Sequence, residues 1–140
     1  YISVVNSITL KKEAPQMPLV DDHRKGWALR YLREAKAELL AAREASYMAF
    51  GLILEAMRKA QASIYYSLGE PAFIDPIVRQ TLGEKRHVTD PILRCLVEIE
   101  EMVQHAAQSP ELDREGGIKQ AEEIIQIASK IVELLTGEKA

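Results

Sequence analysis

Apolar positions along this chain recur at steps of four and three in four separate stretches, the spacing that gathers them on one side of an α-helix. In the densest stretch, 47–68 (YMAFGLILEAMRKAQASIYYSL), only Glu55, Arg58 and Lys59 carry charge. On a helix these three share one narrow face, and Phe50, Ile53, Leu54, Met57, Ala60, Ile64 and Leu68 line the opposite one. A helix apolar around most of its girth needs cover from several sides. It is long enough to cross a bilayer, but three charges at its middle make that costly and no basic flank supports it. The expectation is the buried middle helix of a soluble bundle, with no membrane partner.

A first helix is predicted from Asp21 or Asp22, with Ala28, Leu32, Ala35, Leu39, Ala42 and Ser46 forming its inward stripe. The small residues on that stripe let a neighbouring helix come close. No Gly or Pro separates it from the central helix. A turn is expected at Glu44–Ser46 with Ser46 as N-cap, the rival being one continuous helix. Gly69 should end the central helix, and Glu70-Pro71 should keep it from resuming.

The segments Asp75-Pro76-Ile77-Val78-Arg79 and Asp90-Pro91-Ile92-Leu93-Arg94 then share one pattern, each reading as an Asp N-cap with Pro in the first helical position. The first is expected to open a short helix closing at Gly83. The second opens a long one with Ile92, Leu96, Ile99, Val103 and Ala106 on its stripe. A polar connection is expected from Ser109-Pro110 to Gly116-Gly117. The last helix carries Ala121, Ile125, Ala128, Val132 and Leu135, with Ile124 and Ile131 beside them and Gly137 as its cap. Residues 21–140 thus predict one all-α domain, an antiparallel up-and-down four-helix bundle with one extra short helix.

Residues 1–20 read differently. YISVVNSITL alternates apolar and polar positions as a strand does, and Pro15 and Pro18 then favour an extended linker. No second strand pattern is visible, so an extended or strand-like arm is expected, paired with a copy of itself or another domain, or loose.

Composition narrows the functional classes. At 140 residues with 47% hydrophobic and 28% charged residues, the chain can bury a core and is neither disordered nor fibrous. A net charge of −3 argues against a general nucleic-acid binder. Residues 1–70 hold 10 basic and 8 acidic groups, and residues 71–140 hold 8 and 13, an excess that a solvated helix face explains. The single cysteine, Cys95, excludes an internal disulfide and a cysteine-based zinc site, and reads as a buried inert thiol. No signal-peptide pattern occurs, and a cytoplasmic location is expected.

Candidate chemistry is sparse. His23 falls in an exposed polar cluster at a helix start. His105 follows Glu101 by one turn, but a di-metal carboxylate bundle needs a second Glu-x-x-His pair, which the chain lacks. Arg79, Lys85, Arg86 and His87 form the densest basic segment and the candidate phosphate or nucleotide contact, since Arg stabilises phosphoryl charge and His moves protons. Glu55, Arg58 and Lys59 are a candidate charged face of the central helix, with Glu55 and Lys59 a favourable i,i+4 pair. Tyr65 and Tyr66 are expected to pack in the core or at an interface. No glycine-rich phosphate loop, nucleophile elbow or His-Glu-x-x-His sequence is present, so no catalytic residue, metal or cofactor is assigned.

The helix order carries a resemblance. GWALRYLREAKAELLAAREA, then AFGLILEAMRKAQASIYYSLG, and a last helix KQAEEIIQIASKIVELL together resemble the HEPN domains, small prokaryotic helical bundles often encoded beside minimal nucleotidyltransferases. The resemblance implies a dimeric up-and-down bundle, acting either as a toxin ribonuclease or as a nucleotide- or partner-binding subunit. The ribonuclease members resemble one another in an Arg, four to six residues, then a His. Here seven residues separate Arg79 from His87, none separate Arg86 from His87, and ten separate Arg94 from His105. That departure favours a non-nuclease member, a non-enzymatic binding or assembly module able to take a nucleotidyltransferase or other protein partner. The unpaired arm, the apolar central helix and the resemblance together lead to the expectation of a homodimer. The alternative is a metal-independent ribonuclease using Arg79, Arg86 and His87.

Overall fold

The computed structural model describes residues 21–45, 47, 49–84, 87–109 and 113–140, and their regular structure is entirely helical. Helix α1 spans Asp22–Glu44, α2 Ala49–Leu68, α3 Pro71–Glu84, α4 Pro91–Gln108 and α5 Arg114–Thr136. No strand occurs among the described residues. The arm and linker expected over 1–20, and the cap expected at Ser46, lie outside them.

Helix α2 is the hub and touches each of the other four helices. α1 runs against it over the longest seam, α5 lies against both, and α4 covers α2 from another side while also meeting α3 and α5. α1 and α4 do not meet. The composition of α2 explains its place: Ile53, Ala56, Met57, Ala60 and Ile64 are almost wholly enclosed. The stripes on its partners are buried as their spacing predicts, with Ala28, Leu32, Ala35, Leu39 and Ala42 on α1 and Ile92, Leu96, Ile99, Val103 and Ala106 on α4. Alanines on α1 and α2 with no exposure, such as Ala35 and Ala60, allow close backbone approach along the long seam. Truncating an enclosed side chain such as Met57 or Ile64 to Ala costs about 2–5 kcal/mol, because the transfer loss is joined by a cavity. Phe50 departs from its expected inward position and is 39% exposed at the start of α2.

Caps close most of the helices. Asp21 accepts from Arg24 N at 2.8 Å, Asp90 from Ile92 N at 3.2 Å and Asp113 from Gly116 N at 2.6 Å. Gly137 ends α5 in the left-handed region at φ 79, a conformation glycine adopts without strain. The break between α1 and α2 falls at the expected place, where Ala45 turns extended with ψ 135. Contacts from α5 hold that corner: the Arg43 guanidinium pairs with Glu122 at 3.0 Å, and Arg114 donates to the Arg43 carbonyl, which no helical N–H reaches.

Two boundaries differ from expectation. Helix α3 begins at Pro71, where the Glu70 carbonyl accepts from Phe73 N at 2.9 Å and Ile74 N at 3.1 Å. Pro71 therefore takes the first-position role, and Asp75-Pro76 lies inside the helix instead of capping it. Pro76 deprives the Ala72 carbonyl of its helical donor, but Ala72 is exposed, so solvent can serve that oxygen. Gly69 permits the tight reversal into α3: a Cβ there would come within 3.0 Å of Ile74 Cδ1. At the other boundary, Gly116-Gly117 belongs to the first turn of α5, because Asp113 caps ahead of it and Gly117 packs inward.

Candidate functional site

The fold brings two features together around α3. The first is an open apolar cleft of about 380 Å³, lined by Leu68 of α2, Ile74, Ile77 and Val78 of α3, Leu96 of α4 and Leu135 of α5, among others. Helix α3 is amphipathic, but only Val78 of its residues is buried. Phe73 is 73% exposed and Ile77 54% exposed, one helical turn apart on the same face.

The second feature is a buried polar centre between α2 and α4. One turn beyond Leu96, the Glu100 side chain is fully buried. Its Oε1 accepts from Arg58 Nη1 at 3.0 Å and Gln61 Nε2 at 2.7 Å, and its Oε2 from Gln104 Nε2 at 2.8 Å. Gln61 also donates to the Tyr65 hydroxyl at 3.2 Å and accepts from Arg58 at 3.0 Å. Burial alone would push the Glu100 carboxyl up. The hydrogen bonds from Gln61 and Gln104 and the positive charges of Arg58 and Arg79 outweigh it and hold the group below the usual carboxylate range. Burial, followed by the Glu100 charge, pushes the Tyr65 phenol far up. The centre is therefore an ionised, satisfied carboxylate with a neutral tyrosine beside it.

The charged residues of α2 do not form the single wet face expected of them. Glu55 and Lys59 pair at 3.2 Å, as the spacing predicts. Lys59, however, turns toward α1 and also reaches Glu34 at 3.1 Å and Glu38 at 2.5 Å, whereas Arg58 turns the other way, to α4. A helical step of one residue, about 100°, is what separates the two directions. The hydrogen bond to Glu38 is the main cause of a raised Lys59 pKa. Where three carboxylates converge here, the cation they share is the Lys59 ammonium. Among the described residues, no group of three His, Cys, Asp or Glu side chains is placed to hold a metal ion.

Of the basic segment, Arg79 lies on α3 and its Nε donates to Asp75 Oδ2 at 3.0 Å. His87 is exposed between α3 and α4, ahead of the Asp90 cap. Lys85 and Arg86 lie outside the described residues. His23 is exposed and meets Trp27 edge-on, with ring centroids 6.4 Å apart. Cys95 is buried, and burial raises its thiol pKa, which leaves little thiolate. Tyr66 stacks with Trp27 and Tyr31 of α1, centroids 6.1 and 5.7 Å away, and the Arg24 guanidinium donates to the Tyr66 carbonyl at 3.0 Å.

The residues that sequence reasoning missed are Glu100, Gln61 and Gln104. Their signal was a row of polar positions, Arg58, Gln61 and Tyr65, at helical spacing on an otherwise apolar helix, and a glutamate directly beside the inward Ile99. No helix among the described residues is long and apolar enough to cross a membrane. Comparison with protein-family models, with curated proteins and with solved structures returned no match.

Proposed function

We propose that this chain is a non-enzymatic binding and assembly module of HEPN-like type. In this reading α1, α2, α4 and α5 form an antiparallel four-helix bundle, α3 is the extra short helix, and the protein works as a cytoplasmic homodimer able to take a nucleotidyltransferase or another protein as partner. The observation that carries it is the apolar cleft beside the exposed Phe73 and Ile77, a surface suited to another protein. The polar centre supports the same reading. Glu100 is enclosed and its oxygens are occupied, so it serves the scaffold and offers no reactive group.

The ribonuclease alternative draws less support. Arg79 is paired with Asp75 on its own helix, and His87 stands in an exposed loop beyond the end of that helix. A nucleotide phosphate at Arg79, Lys85, Arg86 and His87 would have to compete with the Asp75 carboxylate for Arg79. The test is an RNA-cleavage assay with purified protein beside His87→Ala. The expected result is no cleavage that depends on His87. A loss of about 10²–10⁴-fold in the variant, the usual effect of removing a general acid or base, would overturn the non-enzymatic reading.

A further inference from the structure

We propose that Glu38 keeps a proton in the folded protein and shares it with Glu55 across the seam of α1 and α2. The seam is then a proton-linked contact that loosens as pH rises. This inference is independent of the binding-module reading above.

Charge does not balance at this seam. The Lys59 ammonium lies 3.1, 2.5 and 3.2 Å from Glu34, Glu38 and Glu55, so three carboxyl groups meet one cation. On α1, Glu34 has a further cation in Arg30 at 3.1 Å, and Lys36 is turned to the Ala140 carbonyl. Arg58, the other cation of α2 near this level, faces Glu100 on α4. From the side of α5, the charged contacts with α1 are Glu122 to Arg43 and, in the tail, Glu138 to Lys25. Both meet α1 more than a helical turn away from Glu38.

Solvation decides which carboxyl takes the proton. Side-chain exposure is 54% for Glu55 and 37% for Glu34 but 17% for Glu38, so water supports a charge least on Glu38. Only one of its oxygens is served. Oε1 accepts from Lys59, whereas Oε2 is enclosed and no donor among the described residues reaches it. An enclosed anionic oxygen without a donor is costly, and a proton on the carboxyl removes that cost. The Glu55 carboxyl lies within hydrogen-bonding reach and can accept it. Burial raises the Glu38 pKa and Glu55 adds to the rise, together outweighing the bond from Lys59. For Glu34 the bond from Lys59 prevails and lowers the pKa.

A raised folded-state pKa places the full stabilisation below the unfolded carboxyl value of about 4.3, and it is lost as pH climbs from there through the folded value. Glu38→Gln keeps an acceptor for Lys59 and a donor for Glu55, so it holds the seam in its protonated form at every pH. The experiment is thermal melting of the full chain as wild type, Glu38→Gln and Glu34→Gln, with a carbon-13 carboxyl titration of the wild type. Glu38→Gln should melt with the wild type near about pH 4 and above it near about pH 8. Glu34→Gln should melt no higher than the wild type at either pH. In the titration, Glu38 should have its midpoint at least about one pH unit above Glu34, a tenfold difference in proton affinity. A Glu38→Gln protein melting below the wild type at the higher pH would make Glu38 a charged partner of Lys59 and overturn the proposal. Equal gains from both variants would show a general relief of negative charge and overturn it as well. Should Glu38→Gln not fold, the wild-type titration decides alone, and a Glu38 midpoint at or below that of Glu34 sinks the shared proton.

Discussion

Nη1 of Arg58 lies 3.0 Å from Oε1 of Glu100, so a guanidinium that is 38% exposed is the solvent edge of a carboxylate with no exposure at all. The pair locks α2 to α4 at a fixed register. Arg58→Ala would leave Glu100 ionised and buried with only amide partners. Breaking a fully buried pair costs about 3–5 kcal/mol, but Arg58 keeps one edge in water, so about 2 kcal/mol is expected. The double change Arg58→Met/Glu100→Met should lose less than the two single changes combined, since no charge is then left unpaired. Urea unfolding of the four proteins checks this, and strict additivity would sink it.

Acid should weaken the fold partly through the same carboxyl. The folded-state pKa of Glu100 is lowered, so its contribution to stability is fully present above the unfolded carboxyl pKa of about 4.3. It is lost as pH falls from there through the folded value. Glu100→Gln should therefore flatten the decline in melting temperature below about pH 4.5 while leaving the slope between about pH 6 and 8 unchanged. A variant whose acid limb matches the wild type would contradict this.

Lys59 is expected to hold the α1–α2 seam by charge. In Lys59→Met, Glu34, Glu38 and Glu55 would face one another with no cation between them. Melting should fall at pH 7 and recover toward the wild type near pH 4, where protonation removes the repulsion. A deficit of equal size at both pH values would show that lost packing, not charge, is the cause.

Similar words in the chain should behave differently on mutation. Asp90→Ala removes an N-cap and should cost about 1 kcal/mol. Asp75→Ala removes only a surface i,i+4 pair with Arg79 and should cost about 0.3–0.5 kcal/mol. Equal losses in chemical denaturation would restore the reading in which both aspartates cap helices.

That contrast marks how far the pattern of residues could be read. The buried stripes of α1, α4 and α5 were legible because the 3.6-residue period records which side of each helix meets the core. The caps at Asp90 and Gly137 were legible because capping is a local interaction among neighbours. Asp75-Pro76 misled because a local pattern cannot say whether a helix has already begun, and Pro71 had started it. The apolar cleft was not legible at all. Its walls come from four helices, and Phe73 and Ile77 look like core residues until their exposure is known.

By itself, the sequence determined that the described chain is helical, where most helices lie and that α2 is central, since these follow from periodicity, capping and the need to cover an apolar helix. Only the tertiary structure decided which way each polar side chain turned. Arg58 and Lys59 are adjacent in the chain, yet one helical step sends the first to Glu100 on α4 and the second to Glu34 and Glu38 on α1. It also set the α1–α2 corner, where Arg114 and Glu122, remote in the chain, hold Arg43. Such partners are far apart in sequence and near in space, and a charge finds them only after the hydrophobic faces have fixed how the helices pack.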